Sequence, residues 1–143
     1  PEVYPDGYIF IHDGARPFVD EGILKRAYET VDQYRACVAG MPSKDTVKLA
    51  DEKGFARVTP NRREVWTIQT PQVFESKLII DAYDALMKQE TVQVTDDAMV
   101  VEQTSNVPVK LFEGSYENIK ITTPEDLEIA EVFLKRRFET ALN

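Results

Sequence analysis

The sequence predicts one α/β layer domain carrying a β-hairpin arm, and three observations predict it. Short unbroken apolar runs, Tyr8-Ile9-Phe10-Ile11 and Ala36-Cys37-Val38-Ala39-Gly40, suit strands buried on both faces. Amphipathic helical stripes alternate with such runs in β-α-β order, which points to a right-handed crossover between parallel strands. From Thr46 to Gln69 the apolar period changes to two, the mark of strands with one wet face.

The elements follow in order. Asp6-Gly7 and His12-Asp13-Gly14 bound the first strand. Asp20 is a good N-cap for the next helix, whose stripe is Leu24, Ala27, Tyr28 and Val31. The 36–40 strand comes next. Thr46-Val47-Lys48-Leu49 and Phe55-Ala56-Arg57-Val58 then form a hairpin around Asp51-Glu52-Lys53-Gly54. Such a hairpin has little core of its own and is expected to pack on something else, such as a second subunit. Val65-Trp66-Thr67-Ile68 makes another strand, which Thr70-Pro71 should end.

Ser76 opens a helix with Ile79, Ala82, Tyr83 and Leu86 on one stripe. Thr95 caps a short helix that has Asp96 and Asp97 in its first turn, where carboxylates favour the helix dipole. Val107 to Phe112 reads as a strand and Ile119-Lys120-Ile121 as another. Thr123-Pro124-Glu125-Asp126 opens the last helix with an N-cap, a proline at N1 and an acid at N3. Leu127, Ala130, Leu134 and Phe138 are its expected buried stripe. Repeats, low-complexity tracts and linkers are not found.

Composition narrows the function classes. The 143 residues carry 17 Lys+Arg against 25 Asp+Glu, a net charge of −8. That length fits one domain over residues 1–143 and can bury roughly two-thirds of its unfolded surface. The acidic balance argues against general nucleic-acid binding, which neutralises phosphates with clustered Lys and Arg. No apolar run approaches the roughly 20 residues that span a bilayer. The single cysteine, Cys37, excludes an internal disulfide and fits a reducing, cytoplasmic compartment. The chain opens Pro1-Glu2-Val3 without an initiator methionine, and so reads as the later part of a longer protein.

The chemistry-bearing residues gather at strand ends. Asp13 and Arg16 follow the first strand directly, and ligands of open parallel sheets bind beyond the carboxyl ends of the strands. Asp13 there suits Mg²⁺ shared with phosphates, and Arg16 offers a guanidinium fork to a phosphate or to Asp13 itself. A strand-terminal turn with a local Asp–Arg pair is the plainer alternative. His12 is the sole histidine, so no histidine metal cluster or Ser/His/Asp triad is available. It suits a structural hydrogen bond at the strand end.

Cys37 reads as a buried thiol. Arg62 and Arg63, with Trp66 and Thr70-Pro71-Gln72, suit an anionic substrate or a solvated strand edge. Lys120 must point to solvent or to an anion. No glycine-rich phosphate loop occurs among the 6 glycines.

Taken in order, these segments resemble the 2-C-methyl-D-erythritol 4-phosphate cytidylyltransferase family of the non-mevalonate isoprenoid pathway. The stretches that carry the resemblance begin with Ile11-His12-Asp13-Gly14-Ala15-Arg16-Pro17-Phe18 and Lys44-Asp45-Thr46-Val47-Lys48. Arg62 with 66–72, Thr95-Asp96-Asp97-Ala98, and the run 114–127 complete the set, which covers nearly the whole chain.

The resemblance implies a Rossmann-like nucleotidyltransferase fold: three α/β/α layers on a mixed, mostly parallel sheet, with a hairpin arm at about 46–63. It also implies transfer of a cytidylyl group from CTP to a sugar-alcohol phosphate with release of pyrophosphate. By the same resemblance Asp13 lies at the Mg²⁺–triphosphate site with Arg16 nearby. Arg62 and Lys120 position the methylerythritol phosphate, and Thr46, Thr70 and Thr95 are further substrate-binding residues. The arm is implied to be exchanged in a homodimer, so that one site uses residues of both subunits.

The family's glycine-rich loop and its cytosine-recognising residues have no counterpart in this sequence. The 143 residues alone are therefore expected not to turn over substrate, and to expose an apolar edge or face. Ribitol-5-phosphate cytidylyltransferase, a sister family, and a non-catalytic dimerisation module are the alternative readings. Glu117 and Asp96 are both open as a second acid near the metal.

Overall fold

A computed structural model describes residues 6–88 and 93–141; the opening Pro1-Glu2-Val3 lies outside them. The main sheet holds β1 (Tyr8–Ile11), β2 (Ala36–Pro42), β5 (Trp66–Glu75) and β6 (Lys110–Glu113) in the order β1-β5-β2-β6. The arm is a separate two-stranded sheet of β3 (Leu49–Ala50) and β4 (Ala56–Val58). Four helices complete the fold: α1 (Glu21–Tyr34), α2 (Ser76–Leu86), α3 (Asp97–Thr104) and α4 (Pro124–Ala141).

Both β1 and β2 run antiparallel to β5, while β6 runs parallel to β2. Three strands therefore point one way, and β5 lies reversed between the first two. The predicted crossover exists, but its two parallel strands are not neighbours. No short-range pattern announces that a strand from later in the chain will be inserted between them.

Strand alternation builds the layers. Ala36 and Val38 of β2 and Phe74 of β5 face α2 and α3, packing with Ile79, Ala82 and Val101. Cys37, Ala39 and Val73 face the other way, onto Ile23, Ala27 and Val31 of α1. This is the three-layer α/β/α arrangement: the apolar run of β2 is buried on both faces as expected, whereas β1, read the same way, is an edge strand with Phe10 exposed.

Several sequence expectations shift. The buried stripe of α1 is Ile23, Ala27 and Val31, while Leu24 and Tyr28 are exposed. Strand β5 does not stop at Thr70-Pro71 but runs on to Glu75 through a cis Thr70–Pro71 bond. Its register against β2 jumps from Ile68↔Gly40 to Gln72↔Val38, a bulge that leaves Gln69 to Pro71 out of the ladder. A bulge is one of the few places where a proline, lacking an N–H, passes through a sheet.

Residues 119–121 form no strand, since only Ile121 N–H is bonded there, to Ala15 O at 2.9 Å. In α4, Ala130 is buried but Leu127, Leu134 and Phe138 are exposed. The helix touches the domain at one edge, through an edge-on Phe18–Phe133 contact and an Arg137 hydrogen bond to Phe18 O. Its apolar stripe is real, but these contacts are too few to cover it.

Candidate active site

The shared direction of β1 and β6 brings the loops that follow them to one edge of the sheet. The loop after β1 carries Asp13 and Arg16, and the loop after β6 carries Lys120. Reversed β5 enters from the same edge. Ile11 pairs with Gln72, which sets Thr70 opposite Asp13. Pro71 cannot extend the ladder, and the Thr70 hydroxyl instead accepts the Asp13 N–H at 3.0 Å.

A pocket of about 330 Å³ opens there, lined by Asp13, Arg16, Gln69, Thr70, Gln72, Thr95, Asp96, Asp97 and Lys120, with Ile68 at its side. Asp13 Oδ2 lies 3.2 Å from Lys120 Nζ and 3.5 Å from Arg16 Nε. Partial burial pushes the Asp13 carboxyl up, but Lys120 and Arg16 together outweigh it and hold it below the usual carboxylate value. Arg16 Nε is buried facing the Asp13 carboxylate, with no acceptor at good hydrogen-bond geometry.

The acids on the far wall are committed elsewhere. Asp96, not Thr95, is the N-cap of α3, accepting from Met99 N–H at 2.9 Å. Its other oxygen takes a bond from Gln72 Nε2 at 3.1 Å, and Gln72 Oε1 accepts from Ala98 N–H at 2.9 Å. Buried Gln72 thus fastens the start of α3 to β5 and selects which neighbouring oxygen caps the helix. Asp97 accepts a short hydrogen bond from the Tyr83 hydroxyl. Burial first, and then that bond, push the Tyr83 phenol up to about 12. Glu117 pairs with Arg136 at 3.6 Å and is not among the pocket's lining residues.

Two amides, half-buried Gln69 and fully buried Asn118, whose roles the sequence reading missed, brace the Lys120 loop. Gln69 Nε2 donates to Ser115 O at 2.8 Å. Asn118, fully buried, donates to Gln69 Oε1 at 3.1 Å and to Thr70 O at 2.8 Å. A Cβ at Gly114 would sit 2.4 Å from Gln69 Oε1 and would displace that amide from the brace. Both amides fall in the segments that carried the family resemblance. No local pattern separates such a brace from a polar loop residue.

Arg62 and Thr46 are not brought to this pocket within the chain. Arg62 opens a 3₁₀ turn at the base of the arm and reaches Lys44 O at 3.5 Å. Thr46 is exposed before β3. Cys37 is buried with its thiol on Ala27 O, and burial pushes it up to about 12, far from a nucleophile's range.

Fold and site define a nucleotidyltransferase-type α/β domain, with a cationic corner at the strand ends suited to phosphate. The profile of the family described as IspD, 2-C-methyl-D-erythritol 4-phosphate cytidylyltransferase, matches residues 3–136, and the chain belongs to that family. The enzyme of that name from Lachnospira eligens is 52% identical over 135 residues, covering 94% of this chain and 60% of the relative. That from Caldanaerobacter subterraneus is 50% identical over 128 residues, with 90% and 56% covered.

Among solved structures, 4-diphosphocytidyl-2C-methyl-D-erythritol synthase from Anaerococcus prevotii superposes with a TM-score of 0.84 at 39% identity, covering 90% of this chain and 56% of that one. The Thermus thermophilus cytidylyltransferase gives 0.78 at 32% identity, covering 93% and 63%. The chain thus spans about 60% of the length of these relatives.

Proposed function

We propose that this chain supplies the sugar-phosphate side of a site that joins CTP to 2-C-methyl-D-erythritol 4-phosphate in isoprenoid biosynthesis. A phosphate oxygen of the sugar alcohol attacks the α-phosphorus of CTP, a new P–O bond forms, and pyrophosphate leaves. The chemistry is chiefly positioning and charge stabilisation. The supporting observation is the gathering of Arg16 and Lys120 around Asp13 in the pocket at the strand ends. Lys120 and Arg16 hold the incoming phosphate, and the Thr70 and Thr95 hydroxyls border it.

Mg²⁺ fits this donor set in one mode only. No group of three or more His, Cys, Asp or Glu among the described residues forms a cage. A single carboxylate, Asp13, suits a cation that arrives on phosphates and keeps most of its other ligands. When bound, the ion offsets phosphate charge.

Arg62 and Thr46, standing away from the pocket on an exposed arm, serve the site of a second copy in a homodimer. No helix among the described residues is long and apolar enough to cross a membrane. The unpaired thiol of Cys37 agrees with a reducing cytoplasmic setting.

A chimera tests the assignment: residues 1–143 replace the aligned segment of the Lachnospira eligens relative, and pyrophosphate release is measured. Turnover with methylerythritol phosphate and little with ribitol 5-phosphate is expected. Equal use of both, or none with either in a folded chimera, overturns it.

A further inference from the structure

His12 sits between the two halves of the cationic corner. One ring nitrogen, Nδ1, is 2.8 Å from Thr70 Oγ1, and the other, Nε2, is 2.9 Å from Arg16 O. Thr70 Oγ1 also accepts the Asp13 N–H at 3.0 Å. Arg16 Nη1 donates to Asn118 O at 2.8 Å, and Asn118 Nδ2 returns to Thr70 O at 2.8 Å. The bonds close a ring through residues far apart in the sequence. Arg16 lies on it, Asp13 joins it at Thr70 Oγ1, and Lys120 follows Asn118 by two residues.

The proton directions in this ring follow from chemistry alone. A carbonyl only accepts, so His12 Nε2 must carry a hydrogen to bond Arg16 O. An amide N–H only donates, so Thr70 Oγ1 accepts from Asp13 and has one proton left to give. With Nδ1 bare, that proton goes to Nδ1 and every group in the relay is paired. With Nδ1 protonated, the Thr70 hydroxyl proton must leave the relay.

We propose that His12 is a positioning residue, held as the neutral Nε2–H tautomer, which acts through the Thr70 hydroxyl and the Arg16 carbonyl to fix the turn presenting Asp13 and Arg16. It rests on the proposed function only for the identity of the ligand that this turn serves. Part of the ring faces solvent, yet both nitrogens are engaged within the protein. Its contribution is orientation: loss of the ring lets the Asp13 turn swing away from Lys120.

As the sole histidine, His12 gives one unambiguous set of ring signals in long-range ¹H–¹⁵N spectra of the chain. At mildly alkaline pH the expected pattern is a protonated Nε2 and a bare, hydrogen-bonded Nδ1. Thr70→Val should move Nδ1 to the value of an unbonded acceptor, and Thr70→Ser should leave it in place. The Asp13 amide N–H, which Thr70 Oγ1 accepts, should lose protection from hydrogen exchange in His12→Ala and Thr70→Val but not in Thr70→Ser.

An Nδ1–H or averaged tautomer in the unmodified chain overturns the proposal, as does unchanged exchange of the Asp13 amide in a folded His12→Ala. The spectrum of the unmodified chain decides even if the variants fail to fold. All readings use the free protein, so failure to bind a sugar phosphate would sink the proposed function and leave this test intact.

Discussion

The strand-end pocket and the hairpin arm carry similar polar and cationic side chains, yet they are held in opposite ways. In the pocket, Asp13, Arg16 and Lys120 are braced by bonds that span from 46 to 102 residues of sequence, through Gln69, Thr70 and Asn118. In the arm, every residue from 48 to 59 is exposed. Its side-chain bonds are local: Lys48 to Thr59 at 2.9 Å, and the Asp51 carboxylate to the Lys53 and Phe55 N–H groups at 2.9 Å each. Gly54, at φ +84°, closes the turn in a conformation that other residues resist. One chain therefore organises the pocket, whereas those side-chain bonds of residues 48–59 stay within the arm. A projecting element of that kind is stabilised by what it docks on.

Exchange of subunits tests this contrast most severely. Arg62→Ala and Lys120→Ala should each abolish binding of methylerythritol phosphate, read by ³¹P NMR. If the arm crosses to a second copy, an equal mixture refolded together should regain roughly a quarter of the sites, since half the dimers are mixed and each holds one intact site. No regain breaks the contrast, because Arg62 would then serve its own chain. Next in size, Asn118→Ala leaves the buried Thr70 carbonyl without its donor and should cost about 1–3 kcal/mol in urea denaturation.

A smaller effect concerns pH. The Asp13 carboxyl is lowered in the folded protein. Its ion pairing therefore adds stability above the unfolded carboxylate value, and that increment is lost as pH falls through the lowered folded value. Lys120→Ala should raise the Asp13 midpoint and flatten this acid limb, as seen in denaturation at stepped pH. Smallest of all, Phe55→Ser at the 70% exposed arm tip should change single-chain stability by less than about 0.5 kcal/mol. A larger loss there would show that the arm is braced by its own domain.

Legibility followed the range of the interaction involved. Asp20 capping Ile23 N–H at 2.8 Å was readable, because a cap needs only the next three residues. The same holds for Thr123 and Asp126, which bond each other's N–H groups across the first turn of α4. Thr95 was read as the cap of α3 with Asp96 inside its first turn, whereas Asp96 is the cap and is held by Gln72 from another strand. The α4 stripe was periodic as expected, but periodicity reports which residues share a face, not what covers that face. Asp13, Arg16, Thr70, Thr95 and Lys120 were all anticipated and share one pocket. Gln69, Gln72 and Asn118 were not assigned roles, since a buried amide looks like any polar residue until its partners are known.

Residue order by itself determined the α/β class, the starts of α1, α2 and α4, and the hairpin arm, because these rest on local period, caps and turn chemistry, while the family was legible in the order of its motifs. Tertiary structure alone decided that β5 lies reversed between β1 and β2 and bulges at Gln69 to Pro71. It likewise decided that a lone histidine closes a ring beneath Asp13. Those outcomes depend on pairings between segments tens of residues apart, and no local preference encodes them.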